Sequence, residues 1–327
     1  MNRREFLLQS AAMLAAGPDE PLRVTAAKRG LLYGAATSTN QLLDADFTEA
    51  LVREAAILVP EYEMKRGVIE PAPGRYDFSG MDRLAGFARA HGLKLRGHPL
   101  VWHKRNPDWL AGAPELTDYI ATVMARYRLH SWDVVNEAIL PGEKGNLRPT
   151  IWLERYGPSY IDMAFHAARE ADPKTLLVYN DWGCELFDPF RAATLDFLEK
   201  ALARGVPIDA YGMQGHLGLS GAQVDPAKLR AFLDRLKAMG LRILITEHDV
   251  DDDGGPADIM LRDRAVADVS RRFLDVVLDN DAVIAVLTWG LSDRYLDKAE
   301  WRRLPLDAAL TRKPMWQALS KAFSARG

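Results

Sequence analysis

Cysteine is almost absent: Cys184 is the only one in 327 residues. No disulfide can form within the chain, and a structural zinc site has too few thiols. Cys184 is read as a small buried hydrophobe. Net charge is nearly absent as well. The 42 Lys and Arg against 45 Asp and Glu leave −3. No basic field exists to hold nucleic acid or an anionic membrane. No Gly-x-Gly-x-x-Gly follows the first strand-like run, so dinucleotide binding has no support. After Lys28 no low-complexity linker interrupts the chain. What remains is an ordinary globular composition, 48% apolar and 27% charged, on a length that α/β barrels commonly use as one domain.

The N-terminus differs from the rest. Asn2-Arg3-Arg4-Glu5-Phe6-Leu7 precedes the short apolar run Leu8 to Ala16. A basic start before an apolar run too short to span a bilayer is the pattern of a secretory signal. The Arg-Arg-x-Phe-Leu order resembles a twin-arginine export signal. Residues 1–27 are therefore expected to be a signal segment handled by the twin-arginine machinery. Small residues at Thr25-Ala26-Ala27 or at Ala15-Ala16 offer cleavage points. The mature chain is expected to lie in the periplasm or outside the cell, off the membrane, as a monomer.

From Lys28 on, short apolar runs alternate with helical patterns. Strand-like runs lie at Leu31 to Ala36, Val59 to Met64, Leu93 to Trp102, His130 to Glu137, Thr175 to Tyr179, Ala210 to Gly215, Leu241 to Glu247 and Val283 to Trp289. Helical spacing fills the gaps, at Phe47 to Leu58, Met81 to His91, Leu116 to Arg128, Tyr160 to Glu170, Phe190 to Ala203, Pro226 to Met239, Met260 to Leu278 and Trp316 to Phe323. Strands separated by helices imply parallel pairing, and eight such units imply an α/β fold, a single closed (β/α)8 TIM barrel over residues 28–327.

Two of these runs stop on glutamates, Glu137 and Glu247. In such a barrel a strand's C-terminal end opens on the catalytic rim. Two carboxylates there are the minimum equipment for cleaving a glycosidic bond. Other strand ends are polar too: Glu61 and Lys65, then His98, Trp102 and His103, then Asn136, then Asn180, Asp181 and Trp182, then Gln214 and His216, then Asp249, then Trp289 with Asp293 and Arg294. Amides, carboxylates and imidazoles hydrogen-bond sugar hydroxyls, and indoles stack on pyranose faces. Each group alone has a plainer reading. Glu61 and Lys65 could be an ion pair, and the tryptophans could be core. His248 follows Glu247 and, by strand alternation, points away from it into the barrel–helix layer. The histidines lack the short paired spacing of zinc motifs, so no metal and no cofactor are expected. Asp251-Asp252-Asp253 reads as a solvated loop.

These blocks resemble glycoside hydrolase family 10, the retaining endo-β-1,4-xylanases. The likeness rests on Glu61-Tyr62-Glu63-Met64-Lys65, Arg96 to His103, Trp132 to Ala138, Tyr211 to His216 and Ile245-Thr246-Glu247. It covers about residues 28–325. The resemblance implies a secreted endo-xylanase acting on xylan and xylo-oligosaccharides, with Glu137 as acid/base and Glu247 as nucleophile. It implies that His216 and Asp249 hold the nucleophile. Glu61, Lys65, His98, Asn136, Gln214 and His216 then contact sugar, and Trp102 and Trp289 wall the site. A related retaining β-glycosidase for short xylo-oligosaccharides or aryl xylosides is the alternative. The chain departs from the family at Tyr62, Arg66, Arg105 and Asp297, all on the glycone side. Trp301 is a candidate replacement for the wall lost at Asp297. Arg66 and Arg105 are candidates for binding a glucuronyl carboxylate.

Overall fold

A computed structural model of the chain describes residues 20–112 and 115–324. The twin-arginine-like run at residues 2–16 lies outside them. The strands are β1 (Leu32–Thr37), β2 (Ile57–Pro60), β3 (Lys94–Gly97), β4 (Ser131–Asn136), β5 (Leu176–Asp181), β6 (Ala210–Met213), β7 (His216–Gly218), β8 (Arg242–Asp251) and β9 (Val283–Thr288). They pair in the order β6-β5-β4-β3-β2-β1-β9-β8, and β6 also pairs with β8. Every ladder is parallel. Eight strands thus close on themselves, and β7 is a short addition beside the far end of β8. This is the (β/α)8 barrel expected from the alternating pattern.

The barrel's interior is packed by Ala36, Ile57, Val59, Leu176, Val178, Ala210, Leu244, Ala285 and Leu287. A larger apolar layer lies between strands and helices. Burying each Val, Leu or Ile side chain stabilises the fold by roughly 1.5–3 kcal/mol. Helix starts follow side-chain caps: Asp44 accepts from Phe47 N, Thr150 from Leu153 N and Asp258 from Leu261 N. Gly97 lets two strands approach, since a β-carbon there would overlap the Trp132 ring.

Three boundaries differ from expectation. The helix expected through Leu58 ends at Glu54, and Ile57 and Leu58 belong to β2, where they pair with β1 and β3. A fully buried strand is apolar on both faces and so extends a helix-like pattern. Strand β3 stops at Gly97 instead of reaching Trp102, because Pro99 cannot donate to the ladder. Leu100 and Val101 bond instead to the carbonyls of Asp133 and Val134.

The third difference is at the start. Residues Leu22–Lys28 form a helix whose Leu22 and Ala26 are fully buried. Leu22 N donates to Glu54 Oε2 at 2.9 Å, and Trp316 Nε1 donates to the same oxygen at 3.0 Å. The segment packs on the C-terminal helix Pro314–Ser324. Residues Leu22–Lys28, expected up to Ala27 within the signal segment, thus pack against the C-terminal helix. A cut after Ala27 would leave the Glu54 carboxylate short of a donor. Among the described residues no helix is long and apolar enough to cross a membrane.

Candidate active site

The register of β8 against β9 slips by one residue between Ile245 and His248. That bulge turns two consecutive side chains inward. Thr246 Oγ1 donates to Asn180 Oδ1 at 2.7 Å, and Asn180 Nδ2 donates to Glu247 Oε1 at 2.8 Å. Alternation then puts His248 outside, as expected. Its ring nitrogens meet Gly215 O at 2.9 Å and Ser270 Oγ at 2.8 Å, in the layer under the helix Ile259–Val277.

Strand β7 pairs with the extension of β8 in the register His216 to Asp249. The two side chains consequently stand together, with His216 Nδ1 2.6 Å from Asp249 Oδ1. The other ring nitrogen lies 3.3 Å from Glu247 Oε2. Burial works against charge on His216, but Asp249 and Glu247 outweigh it and hold its pKa well above the usual histidine range. Burial likewise opposes charge on Glu247. The His98 and His216 imidazoles and the Lys65 ammonium outweigh it and bring the Glu247 carboxyl down to about 2. Glu247 is thus an anion at any working pH.

Glu137 directly follows β4, three strands from β8 around the barrel. Its φ is 56°, a left-handed conformation that costs a non-glycine residue about 1–3 kcal/mol. Two bonds hold it there. Glu137 N donates to Asn180 O at 2.9 Å, and Arg148 Nε donates to Glu137 O at 2.8 Å. Gln214 Nε2 donates to Glu137 Oε1 at 3.2 Å. Asn136 and Asn180 are register partners, and Asn180 Nδ2 donates to Asn136 Oδ1 at 2.8 Å. One amide at Asn180 therefore connects the strand of Glu137 to the carboxylate of Glu247.

Beneath this layer the barrel holds a buried ionic network. Asp133 pairs with Arg96 and lies 2.8 Å from His98 Nδ1, which is 3.8 Å from Glu247 Oε1. Lys65 Nζ lies 4.9 Å from the Trp102 ring centroid and 5.7 Å from that of Trp289. Burial pushes its ammonium down to about 8, against the pull of Glu247, Asp133, Glu137 and Glu61. It remains mostly charged at neutral pH.

A cavity of about 410 Å³ unites Lys65, His98, Trp102, Asn136, Glu137, Gln214, His216, Glu247 and Trp289. Two expected site residues stand outside its lining. Asp249 sits behind His216. Glu61 lines an adjoining cavity with Tyr62, and burial together with the Glu63 charge pushes its carboxyl up.

His103, Lys104, Arg148 and Trp182 line the same cavity without having been assigned a role from sequence. His103 Nδ1 is 3.8 Å, and Lys104 Nζ 4.0 Å, from Glu137 Oε2. Burial pushes the His103 imidazole down to about 4, so it stands neutral beside Glu137. Asn180 was legible only as a strand-end polar group, and its register with Asn136 is what gives it a role. Asp133 left no separate signal. Arg148 lies in an irregular loop and left no signal.

Two glycone-side expectations are corrected. Arg66 is buried and cannot meet substrate. It donates to Glu70 Oε2 at 2.9 Å and Glu115 O at 2.6 Å, under the Tyr119 ring. Trp301 does not rebuild the wall. Arg303 stacks 3.7 Å from its centroid, and Trp301 is not in the cavity lining. The Asp251-Asp252-Asp253 loop is not merely solvated, since Arg303 reaches all three carboxylates. Cys184 is buried, and burial pushes its thiol up, as befits an inert core residue.

Residues 21–322 match the model of Glycosyl hydrolase family 10. Over 291 residues the chain is 36% identical to Endo-1,4-beta-xylanase B of Thermotoga neapolitana, covering 85% of this chain and 82% of that one. It is 31% identical over 312 residues to Endo-1,4-beta-xylanase A of Thermoanaerobacterium saccharolyticum, covering 88% of this chain but only 26% of that longer protein. Its fold superposes on xylanase 10B from Thermotoga petrophila RKU-1 in complex with xylobiose with a TM-score of 0.86, at 31% identity over 94% of this chain and 98% of that one. Barrel, paired glutamates and sequence agree: the chain is a glycoside hydrolase and belongs to glycosyl hydrolase family 10.

Proposed function

We propose that the chain is a retaining endo-1,4-β-xylanase that cuts xylan within the chain, with Glu247 as nucleophile and Glu137 as acid/base. The observation that carries this is the division of labour in one cavity. Glu247 is held ionised by His216 and Lys65, while Glu137, in the same cavity, accepts from Gln214. Glu247 attacks the anomeric carbon as Glu137 gives a proton to the leaving oxygen. Glu137 then takes a proton from water, and that water's oxygen displaces Glu247 from the glycosyl-enzyme. Trp102 and Trp289 supply apolar faces for the sugar at the break, and Lys65, His98 and Asn136 supply hydrogen bonds.

Endo action is favoured over the short-substrate alternative by the length of the groove. Lys65 is shared with a cavity of about 310 Å³, and Tyr62 links that one to another of about 430 Å³. A sugar chain longer than two units would be needed to fill them. The test is product analysis on soluble xylan, wild type beside Glu247→Ala. A ladder of xylo-oligosaccharides from wild type alone supports the proposal. Xylose alone, or no product, overturns endo action.

Export belongs to the same proposal. Arg3-Arg4 with the following apolar run supports twin-arginine translocation to the periplasm or beyond. Retention of the chain in the cytoplasm after Arg3→Lys with Arg4→Lys, and its export without them changed, is the expected result. Action as a monomer is part of the same proposal; sedimentation would test it.

A further inference from the structure

The catalytic cavity shares Lys65 with a neighbouring cavity of about 310 Å³, lined also by Tyr62, Arg105, Asn106 and Asp108. Lys65 sits over Trp102 and Trp289, in the field of Glu247. Since Glu247 attacks the glycone sugar in the proposed reaction, this second cavity receives whatever projects from the glycone side. Lys65 at its inner end already faces Glu247, Asp133, Glu137 and Glu61, so the cation this cavity offers a ligand is Arg105. Arg105 is exposed, and its guanidinium lies 5.5 Å from the centroid of the exposed Tyr62 ring. Among the described residues no carboxylate forms a salt bridge with it. Its backbone is anchored, with φ at 56° and its carbonyl accepting from Gly67 N at 2.8 Å. A guanidinium on an anchored backbone, without a salt bridge among the described residues, therefore lines a cavity that shares Lys65 with the active site.

We propose that this cavity binds the carboxylate of a uronic acid branch on a glycone-side sugar, with Arg105 as the specificity-determining residue. The proposal rests on the xylanase reading above. A guanidinium presents two parallel N–H donors that match a carboxylate, a geometry a lone ammonium lacks. The Tyr62 ring supports the guanidinium from one side and offers an apolar face to the branch.

The test compares kcat/KM on three substrates of equal main-chain length. One is an unbranched xylo-oligosaccharide, one carries a glucuronic acid branch on the glycone side, and one carries the methyl ester of that branch. Wild type should prefer the acid to its ester by about tenfold, which is ~1.4 kcal/mol. The preference should shrink as salt rises, because the site is exposed. Arg105→Gln should bring the acid-to-ester ratio close to one, and Arg105→Lys should restore part of it. Equal wild-type rates on acid and ester overturn the proposal without any variant. So does a preference that survives Arg105→Gln. If the unbranched oligosaccharide is cleaved while acid and ester are equal, only the branch site is refuted. If none of the three is cleaved, the xylanase reading itself fails, and the branch site with it.

Discussion

The ionisation of Glu247 rests on His98, His216 and Lys65 together, and His216→Gln should expose the share that His216 supplies. In the native site the His216 cation lies 3.3 Å from Glu247 Oε2 and is itself held by Asp249 at 2.6 Å. Gln keeps a hydrogen-bond donor but removes the charge. A hydrogen bond to a charged group contributes about 1.5–3 kcal/mol. At 1.36 kcal/mol per pH unit, losing most of that contribution raises the Glu247 carboxyl by about one to two units. From about 2 it moves to between about 3 and 4. The sign follows from linkage. A carboxyl depressed below its unfolded value of 4.5 stabilises the fold above that pH, and the contribution is lost as pH falls through the folded value. The variant therefore loses both activity and stability earlier on acidification. The assay is kcat/KM on an aryl xyloside from pH 3 to 8, with circular dichroism at each pH to separate unfolding from titration. Wild type should show no acid limb from Glu247 in that range, and His216→Gln should show one with a midpoint between about pH 3 and pH 4. Coincident acid limbs in the two proteins would refute the assignment of His216 as a group that keeps Glu247 ionised.

Further perturbations separate the other roles. Glu137→Gln should nearly abolish xylan cleavage but spare aryl xylosides with good leaving groups, whereas Glu247→Gln should lose both; steady-state rates on the two substrates decide. Asn180→Ala removes the donor to Glu247 and the acceptor of Thr246 and should lower kcat/KM by roughly 10–100-fold. Adding Thr246→Val should recover melting temperature but not rate, which a purely structural Asn180 would contradict. Lys313→Met leaves Asp293 buried without its 2.6 Å partner and should cost about 3–5 kcal/mol in urea denaturation. Combining it with Asp293→Asn should return part of that loss, and strict additivity would argue against the pair.

Sequence carried the barrel and the paired glutamates because both are written in local patterns. Alternating apolar runs and helical spacing give eight units, and a carboxylate at a strand end lands on the rim whatever the loops do. The other determinants depend on which residues become neighbours across the ladder. Thr246 and Glu247 turn to the same side only because β8 gains a residue on β9, and no local signal in Ile245-Thr246-Glu247-His248 marks that bulge. Asn180 acquires its place between the two glutamates from its register with Asn136. The two glycone-side arginines make the same point from opposite ends. Arg66 and Arg105 look alike in sequence, as basic residues on the glycone side. Arg66 is drawn inward by Glu70 and Tyr119, and its charge is consumed by the fold. Arg105 is held at the surface by its backbone bond to Gly67, and its charge is left for a ligand. Which of two arginines can recognise an anion is decided by whether the fold already supplies one, and that is a property of packing, not of composition.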